Sequence, residues 1–117
     1  MQTKQAIAAL SALAQETRLA IFRLLVQRGP EGLPAGAIAE ALVVPASSLS
    51  FHLAQLSHAN LIVQRRSGRQ LIYSANFGTM NAVMGYLTEN CCGGTAACTA
   101  APAAAEAAAS APKRRSA

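Results

Sequence analysis

Residues Ala37–Ser74 read AIAEALVVPASSLSFHLAQLSHANLIVQRRSGRQLIYS, and this stretch decides the fold. Its pattern is helix, turn, helix, then a two-stranded hairpin with a basic tip. The second helix, from Ser47 to Ala59, is its centre. Leu49, Leu53 and Leu56 recur at steps of four and three, with Ala59 three further on. That spacing is one face of a 3.6-residue period, so these four point inward. The other side carries Ser47, Ser48, Ser50, His52 and Gln55 and no carboxylate. A helix that enters the DNA major groove needs such a face, because base edges present donors and acceptors while phosphates repel anions. A solvated helix face has a similar composition; the basic hairpin beside it favours DNA.

Outward from this centre the breaks are clear. Val43-Val44-Pro45 is the turn, and proline suits the start of the following helix because its missing N–H is not needed there. Asn60 closes that helix, asparagine being second only to glycine as a left-handed terminator. Leu61 to Gln64 reads as a strand, Arg65-Arg66-Ser67-Gly68-Arg69 as the turn, and Gln70 to Ser74 as the return. Arg65, Arg66 and Arg69 lie within five residues around a glycine. Such a tip is a probe for phosphates or a minor groove, or else a charged cap that keeps a hairpin soluble.

On the N-terminal side, residues 2–14 read as a helix whose apolar stripe is Ile7, Leu10 and Leu13 with Ala6 and Ala14. It is short and Ala-rich, so it needs a partner surface. Thr17 to Arg28 is a second helix, with Leu19, Phe22, Leu25 and Val26 inward and Arg18, Arg23 and Arg28 outward, closed by Gly29-Pro30. Leu33-Pro34 opens a third helix, Ala35 to Leu42, with Ile38, Ala41 and Leu42 buried. On the C-terminal side, Phe77 to Glu89 is the last helix. Its seam of Phe77, Met80, Met84 and Leu87 suits pairing with the first helix and with a second subunit.

The chain divides accordingly: a winged helix-turn-helix unit over 1–90, a cysteine segment over 91–98, and an Ala/Pro-rich basic tail over 99–117 that reads as disordered. At 117 residues there is room for one domain with a modest core, a size that often completes its core by dimerising. The net charge of +5 is a mild excess, so the placement of the charges matters more than their sum. No signal-peptide pattern opens the chain and no apolar run reaches about 18 residues, which implies a cytoplasmic protein without a membrane span. The odd count of three cysteines, in a reducing compartment, points to metal ligation or redox chemistry rather than structural disulfides. An enzyme reading lacks support: a cysteine nucleophile would need a histidine base beside it, and both histidines, His52 and His58, lie on the helix of Ser47 to Ala59. There His52 suits a phosphate or a base, and His58 reads as a surface residue.

Three motifs in order resemble the ArsR/SmtB family of winged-helix metalloregulatory repressors, over about residues 8–90. Leu10-x-x-Leu13-Ala14-x-x-Thr17-Arg18-Leu19-x-Ile21 looks like its opening signature. Leu49-Ser50-x-His52-Leu53-x-x-Leu56-x-x-Ala59-x-Leu61 looks like its recognition helix, and Gly68-Arg69-x-x-x-Tyr73 looks like its wing. The resemblance implies a mainly helical fold with a small β-wing, a homodimer through the first and last helices, and binding to operator double-stranded DNA. There are departures. Val43 stands where the family often has glycine, and Pro45 where it often has Ser or Thr. Ala37 to Leu42 holds no Cys-x-Cys pair, and the last helix has no Asp and His pair for zinc.

What remains is Cys91, Cys92 and Cys98. This spacing resembles a subgroup of arsenic-responsive repressors whose ligands follow the last helix. Trivalent arsenic or antimony takes three thiolates in a pyramid; adjacent cysteines supply two, and Gly93-Gly94 lets the third return. Soft thiolates select soft ions, and no fourth ligand stands nearby for tetrahedral zinc. The alternatives are a Cd, Pb or Zn ion, a redox switch through a Cys91–Cys92 or Cys91–Cys98 disulfide, or three incidental thiols. A winged-helix protein that binds protein partners instead of DNA is a further rival.

Overall fold

The computed structural model describes residues 1–94, the Cys92 side chain excepted. Five helices and a three-stranded sheet follow in the order α1 (Thr3–Leu13), α2 (Glu16–Arg28), β1 (Leu33–Pro34), α3 (Ala35–Leu42), α4 (Ala46–His58), β2 (Ile62–Ser67), β3 (Gln70–Ala75) and α5 (Phe77–Thr88). The architecture is the mainly helical, small-sheet winged helix-turn-helix that the sequence implies. Residues Met1–Val83 form one compact unit, and the described residues from Met84 onward belong to a second.

The first unit is built around α4. Leu49, Leu53 and Leu56 are buried as their spacing requires, together with Ile21, Phe22 and Leu25 of α2, Ile38 of α3, and Leu61 and Ile62 at the start of β2. Left-handed residues end both helices of the helix-turn-helix. Val43 (φ 55) closes α3, and the Val44 N–H donates to the Ala39 carbonyl at 3.0 Å. Asn60 (φ 61) closes α4, and the Leu61 N–H reaches back to Leu56 O at 3.0 Å. This six-residue closure satisfies a carbonyl that the helix end would otherwise leave open. Asn60 is in the role its identity suggests. Val43 is in a role that glycine fills more cheaply, since a Cβ at positive φ crowds the following carbonyl.

α1 buries only part of its apolar stripe. Its buried residues are the alanines Ala6, Ala9 and Ala12, while Ile7 is 58% exposed and Leu10 40%. Small side chains let α1 lie close on α2 and α4, and the larger apolar residues are left facing out. Leu19 likewise is 43% exposed, its expected place in the core being taken by Ile21. Ala41 is exposed, whereas Ile38 is fully buried and Leu42 half-buried. In α5, Phe77 and Met80 pack on the core and Val83 is buried, so the first half of the expected seam turns inward.

The wing also differs. Leu33-Pro34 opens α3 as expected, with Pro34 its N-cap, and it also forms β1, pairing with β3 through Leu33↔Tyr73 and Pro34↔Ile72 and giving a sheet in the order β1-β3-β2. Gly32 permits this close approach: it is buried at φ +69, and a Cβ there would collide with the Tyr73 carbonyl oxygen. The hairpin strands run longer than the sequence suggests, pairing from Ile62↔Ala75 out to Ser67↔Gln70, so the turn is only Gly68-Arg69 with Gly68 at φ 63.

The second unit begins with the end of α5, where the Thr88 hydroxyl donates to Met84 O at 2.9 Å. Met84 is 59% exposed and Leu87 60%. After Asn90 at φ 58, Cys91–Gly94 form one 3₁₀ turn with Gly93 at φ 71. No single helix among the described residues is long and apolar enough to cross a membrane.

Two glycine positions test this account in opposite directions. Val43→Gly should stabilise the fold by about 1 kcal/mol, because it removes left-handed strain from a β-branched residue that is 88% exposed and packs on little. Gly32→Ala should destabilise it by at least about 2 kcal/mol, combining positive φ with a clash against backbone. Urea denaturation of the two variants beside the wild type measures both; a destabilised Val43→Gly would show that Val43 is not strained.

Candidate nucleic-acid interface

The helix-turn-helix consists of α3, the three-residue turn Val43-Val44-Pro45, and α4. The two helix axes differ in direction by 113°, inside the range that presents a second helix to a major groove. With Leu49, Leu53 and Leu56 held in the core, most of the rest of α4 faces solvent. Ser47, Ser48, Ser50 and Gln55 are all exposed, as their spacing suggests, and no acidic residue interrupts them.

His52 is placed differently from its neighbours. It is half-buried, and its Nδ1 lies 3.3 Å from Nη1 of Arg18. Arginine can only donate, so Nδ1 accepts and Nε2 is left as the donor nitrogen of the ring. Arg18 itself is not the outward charge that the sequence suggests. Its Nε donates to the Ala12 carbonyl at 2.7 Å, and its backbone N–H is capped by the Gln15 side chain at 2.9 Å. Arg18 therefore ties the end of α1, the start of α2 and the middle of α4 into one polar contact. A cation at the C-terminal end of α1 also meets the negative end of that helix dipole.

Sequence reasoning passed over Phe51. Its ring is 58% exposed and stands edge-on to the His52 imidazole, with centroids 5.6 Å apart and planes at 66°. The signal was available: a residue two positions from both Leu49 and Leu53 lies about 200° around the helix, on the side away from the core. Phe51 shares this side with Ser47 and Ser48 before it and Gln55 after it.

The three wing arginines separate. Arg69 is in the exposed two-residue turn. Arg65 and Arg66 are on β2, and successive strand residues point to opposite faces. Arg66 is opposite Leu71 and shares a face with Gln64 and Tyr73. Arg65, opposite Ile72, donates from Nη2 to the Glu31 carbonyl at 2.7 Å, which fixes the wing to the α2–β1 loop. Between α4 and the wing lies a cleft of about 390 Å³ lined by Ser50, Ser57, His58, Gln64 and Tyr73 among others. It joins the exposed face of α4 to the Arg66 face of the hairpin, and its lining is hydroxyl, amide and imidazole beside Leu53 and Ala54, with no carboxylate.

The cysteine segment is described in part. Cys91 is half-buried in the 3₁₀ turn. Cys98, and the tail over 99–117, lie outside the described residues, as does the Cys92 side chain. Among the described residues no three His, Cys, Asp or Glu side chains gather as a metal site.

Comparisons with known proteins agree with this geometry. Residues 13–65 match a helix-turn-helix domain model, which takes in α2 through most of β2. The chain is 32% identical to the HTH-type transcriptional regulator YgaV of Escherichia coli K12 over 89 residues, 76% of this chain and 88% of that protein. It is 34% identical to the nodulation protein NolR of Rhizobium meliloti over 80 residues, 68% of this chain and 63% of that protein, so it spans less than two thirds of NolR. An ArsR-like transcriptional regulator from Rhodococcus sp. RHA1 superposes with a TM-score of 0.65 at 26% identity, covering 72% of this chain and 76% of the other. A homodimeric winged helix-turn-helix DNA-binding domain, Mb0332 from Mycobacterium bovis, a possible ArsR-family regulator, superposes with a TM-score of 0.57 at 27% identity, covering 73% and 83%. The crossing of α3 and α4, the three-stranded wing and these relatives agree, and the chain belongs to the ArsR family of winged-helix transcriptional regulators.

Proposed function

We propose that this regulator is a homodimeric, cytoplasmic repressor that holds operator double-stranded DNA with α4 and its wing. Trivalent arsenic or antimony, held by Cys91, Cys92 and Cys98, would release it. The observation that carries the DNA reading is the acid-free exposed face of α4, set beside Arg66 and Arg69 on a helix-turn-helix crossing at 113°. Ser47, Ser48, Ser50, His52 and Gln55 supply base-edge donors and acceptors; Arg65, Arg66 and Arg69 supply backbone charge. Two copies would place two recognition helices in successive major grooves of a pseudo-palindrome.

The dimer reading rests on apolar side chains that the single chain leaves in water, Ile7 and Leu10 on α1, and Met84 and Leu87 on α5. Burying them against a second copy removes that area from solvent at about 25 cal/mol per Å². The sensor reading rests on donor chemistry. Three thiolates and no fourth ligand suit a soft, three-coordinate ion, and such an ion supplies three strong bonds to sulfur when bound. Loss of operator affinity of about 5–150-fold corresponds to a coupling of about 1–3 kcal/mol, the ordinary range for linked sites.

Three measurements test the proposal. Ser50→Ala should cost about 1–3 kcal/mol of binding to a selected operator duplex and little on random DNA, whereas Arg69→Ala should weaken both and lower the salt slope by about one. Equal losses on both duplexes for both variants would remove the division between base reading and backbone contact. Ile7→Glu places a charge on a site already exposed in the single chain, so the fold should hold while light scattering shows a shift to monomer; a wild-type monomer at micromolar concentration would refute the dimer. In reducing buffer, arsenite should release the operator from the wild type and not from a Cys91→Ser/Cys92→Ser double variant that still binds DNA. Release by peroxide alone would instead support a redox switch, and release by cadmium, lead or zinc alone another soft-ion sensor.

A further inference from the structure

The exposed ring of Phe51 calls for an account that the polar face of α4 does not give. A phenyl ring can neither donate nor accept at a base edge. In the major groove, the apolar feature that the bases present is the 5-methyl group of thymine; every other distinguishing group there is a hydrogen-bond donor or acceptor. Phe51 projects from the groove-facing side of α4, flanked one turn away by Ser47 and Gln55. It is 58% exposed, so in the free protein most of the ring stays in water.

The ring is also held. The edge-on contact with His52, with centroids 5.6 Å apart, orients it, and Arg18 in turn anchors His52 through Nδ1. An aromatic contact of this geometry favours one setting of the ring over free rotation. A pre-set apolar group gains on contact without first losing much side-chain freedom.

We propose that Phe51 is a specificity-determining residue that reads the 5-methyl group of a thymine in the major groove of each operator half-site. This rests on the DNA-binding reading above and adds to it a base identity. Burying one methyl group is worth about a fourfold change in affinity.

The test uses the full-length chain and a duplex that the wild type itself selects from a randomised pool. That duplex is remade with deoxyuridine replacing thymidine at one position at a time, symmetrically in both half-sites, and titrated by fluorescence anisotropy. Deoxyuridine keeps the pairing and the O4 acceptor and removes only the methyl group. At one position the wild type should lose about fourfold per methyl removed. Phe51→Ala should bind the selected duplex more weakly and be indifferent to deoxyuridine at that same position, while Phe51→Leu keeps part of the sensitivity. Since the ring is exposed, the Phe51→Ala melting curve should overlay that of the wild type, which separates a lost contact from a lost fold. If wild type and Phe51→Ala suffer equal deoxyuridine penalties at every position, the methyl-reading role is wrong while DNA binding stands. If no duplex is enriched from the pool, the DNA-binding reading fails and this inference goes with it.

Discussion

Burial of Leu49, Leu53 and Leu56 on one side of α4 is the constraint on which the rest depends. These side chains meet Ile21, Phe22 and Leu25 of α2 and Ile38 of α3 in one core. Leu56 is fully buried, and Leu49 and Leu53 nearly so. Rotating α4 about its axis by one residue, about 100°, would swing this stripe out of the core. The helix has no such freedom, and the side chains opposite the leucines are thereby assigned to solvent. The exposed face is thus as well defined as the core, although none of its residues packs on anything large. The two left-handed closures at Val43 and Asn60 fix where α4 starts and stops, and so where along its length that face begins.

A different economy governs α1. A helix that buries Ala6, Ala9 and Ala12 comes close to its neighbours but removes little apolar area from water. Its attachment to the unit therefore leans on other contacts, among them the Arg18 bond to the Ala12 carbonyl. The larger residues Ile7 and Leu10 face outward and stay exposed among the described residues. In an isolated globular chain this would be wasteful. The structural relative Mb0332 is homodimeric, and a second copy is the cover proposed above for these residues.

Much of this was legible in the sequence, and the gaps have physical causes. The helix-turn-helix could be read because its signals agree: leucines at helical spacing, a proline at a helix start and an asparagine at a helix end. The helix of residues 2–14 and its apolar stripe are legible, but which stripe residues this chain covers is not, because periodicity identifies a stripe without saying whether this chain or another covers it. Of that stripe Ala6 is buried, while Ile7 and Leu10 are exposed. The β1 strand was missed because two residues carry no period, and its formation depends on Gly32 approaching Tyr73 from far along the chain. The arginines were seen as one cluster because strand alternation has no meaning until the register is known. Pairing out to Ser67↔Gln70 is what sends Arg65 and Arg66 to opposite faces.

Arg18 shows why a charged residue in a motif is poorly described as surface or core. Its chemistry obliges it to find acceptors, and it finds them at the end of α1 and on His52 of α4. Its alkyl stem can lie along apolar surface while the guanidinium bridges the two. The consequence reaches the exposed face. His52 is held through Nδ1, so its Nε2–H is the group left for an acceptor, and Phe51 stands edge-on against the same ring. The Arg18 bond thus bears on the presentation of two adjacent side chains, the half-buried His52 and the exposed Phe51. A substitution at Arg18 would release α1 from α2 and, at the same time, loosen the imidazole and the phenyl ring that α4 offers to a partner. The polar tie and the leucine stripe act on α4 in different ways: the leucines fix the rotation of the helix, and Arg18 fixes the side chains that this rotation exposes.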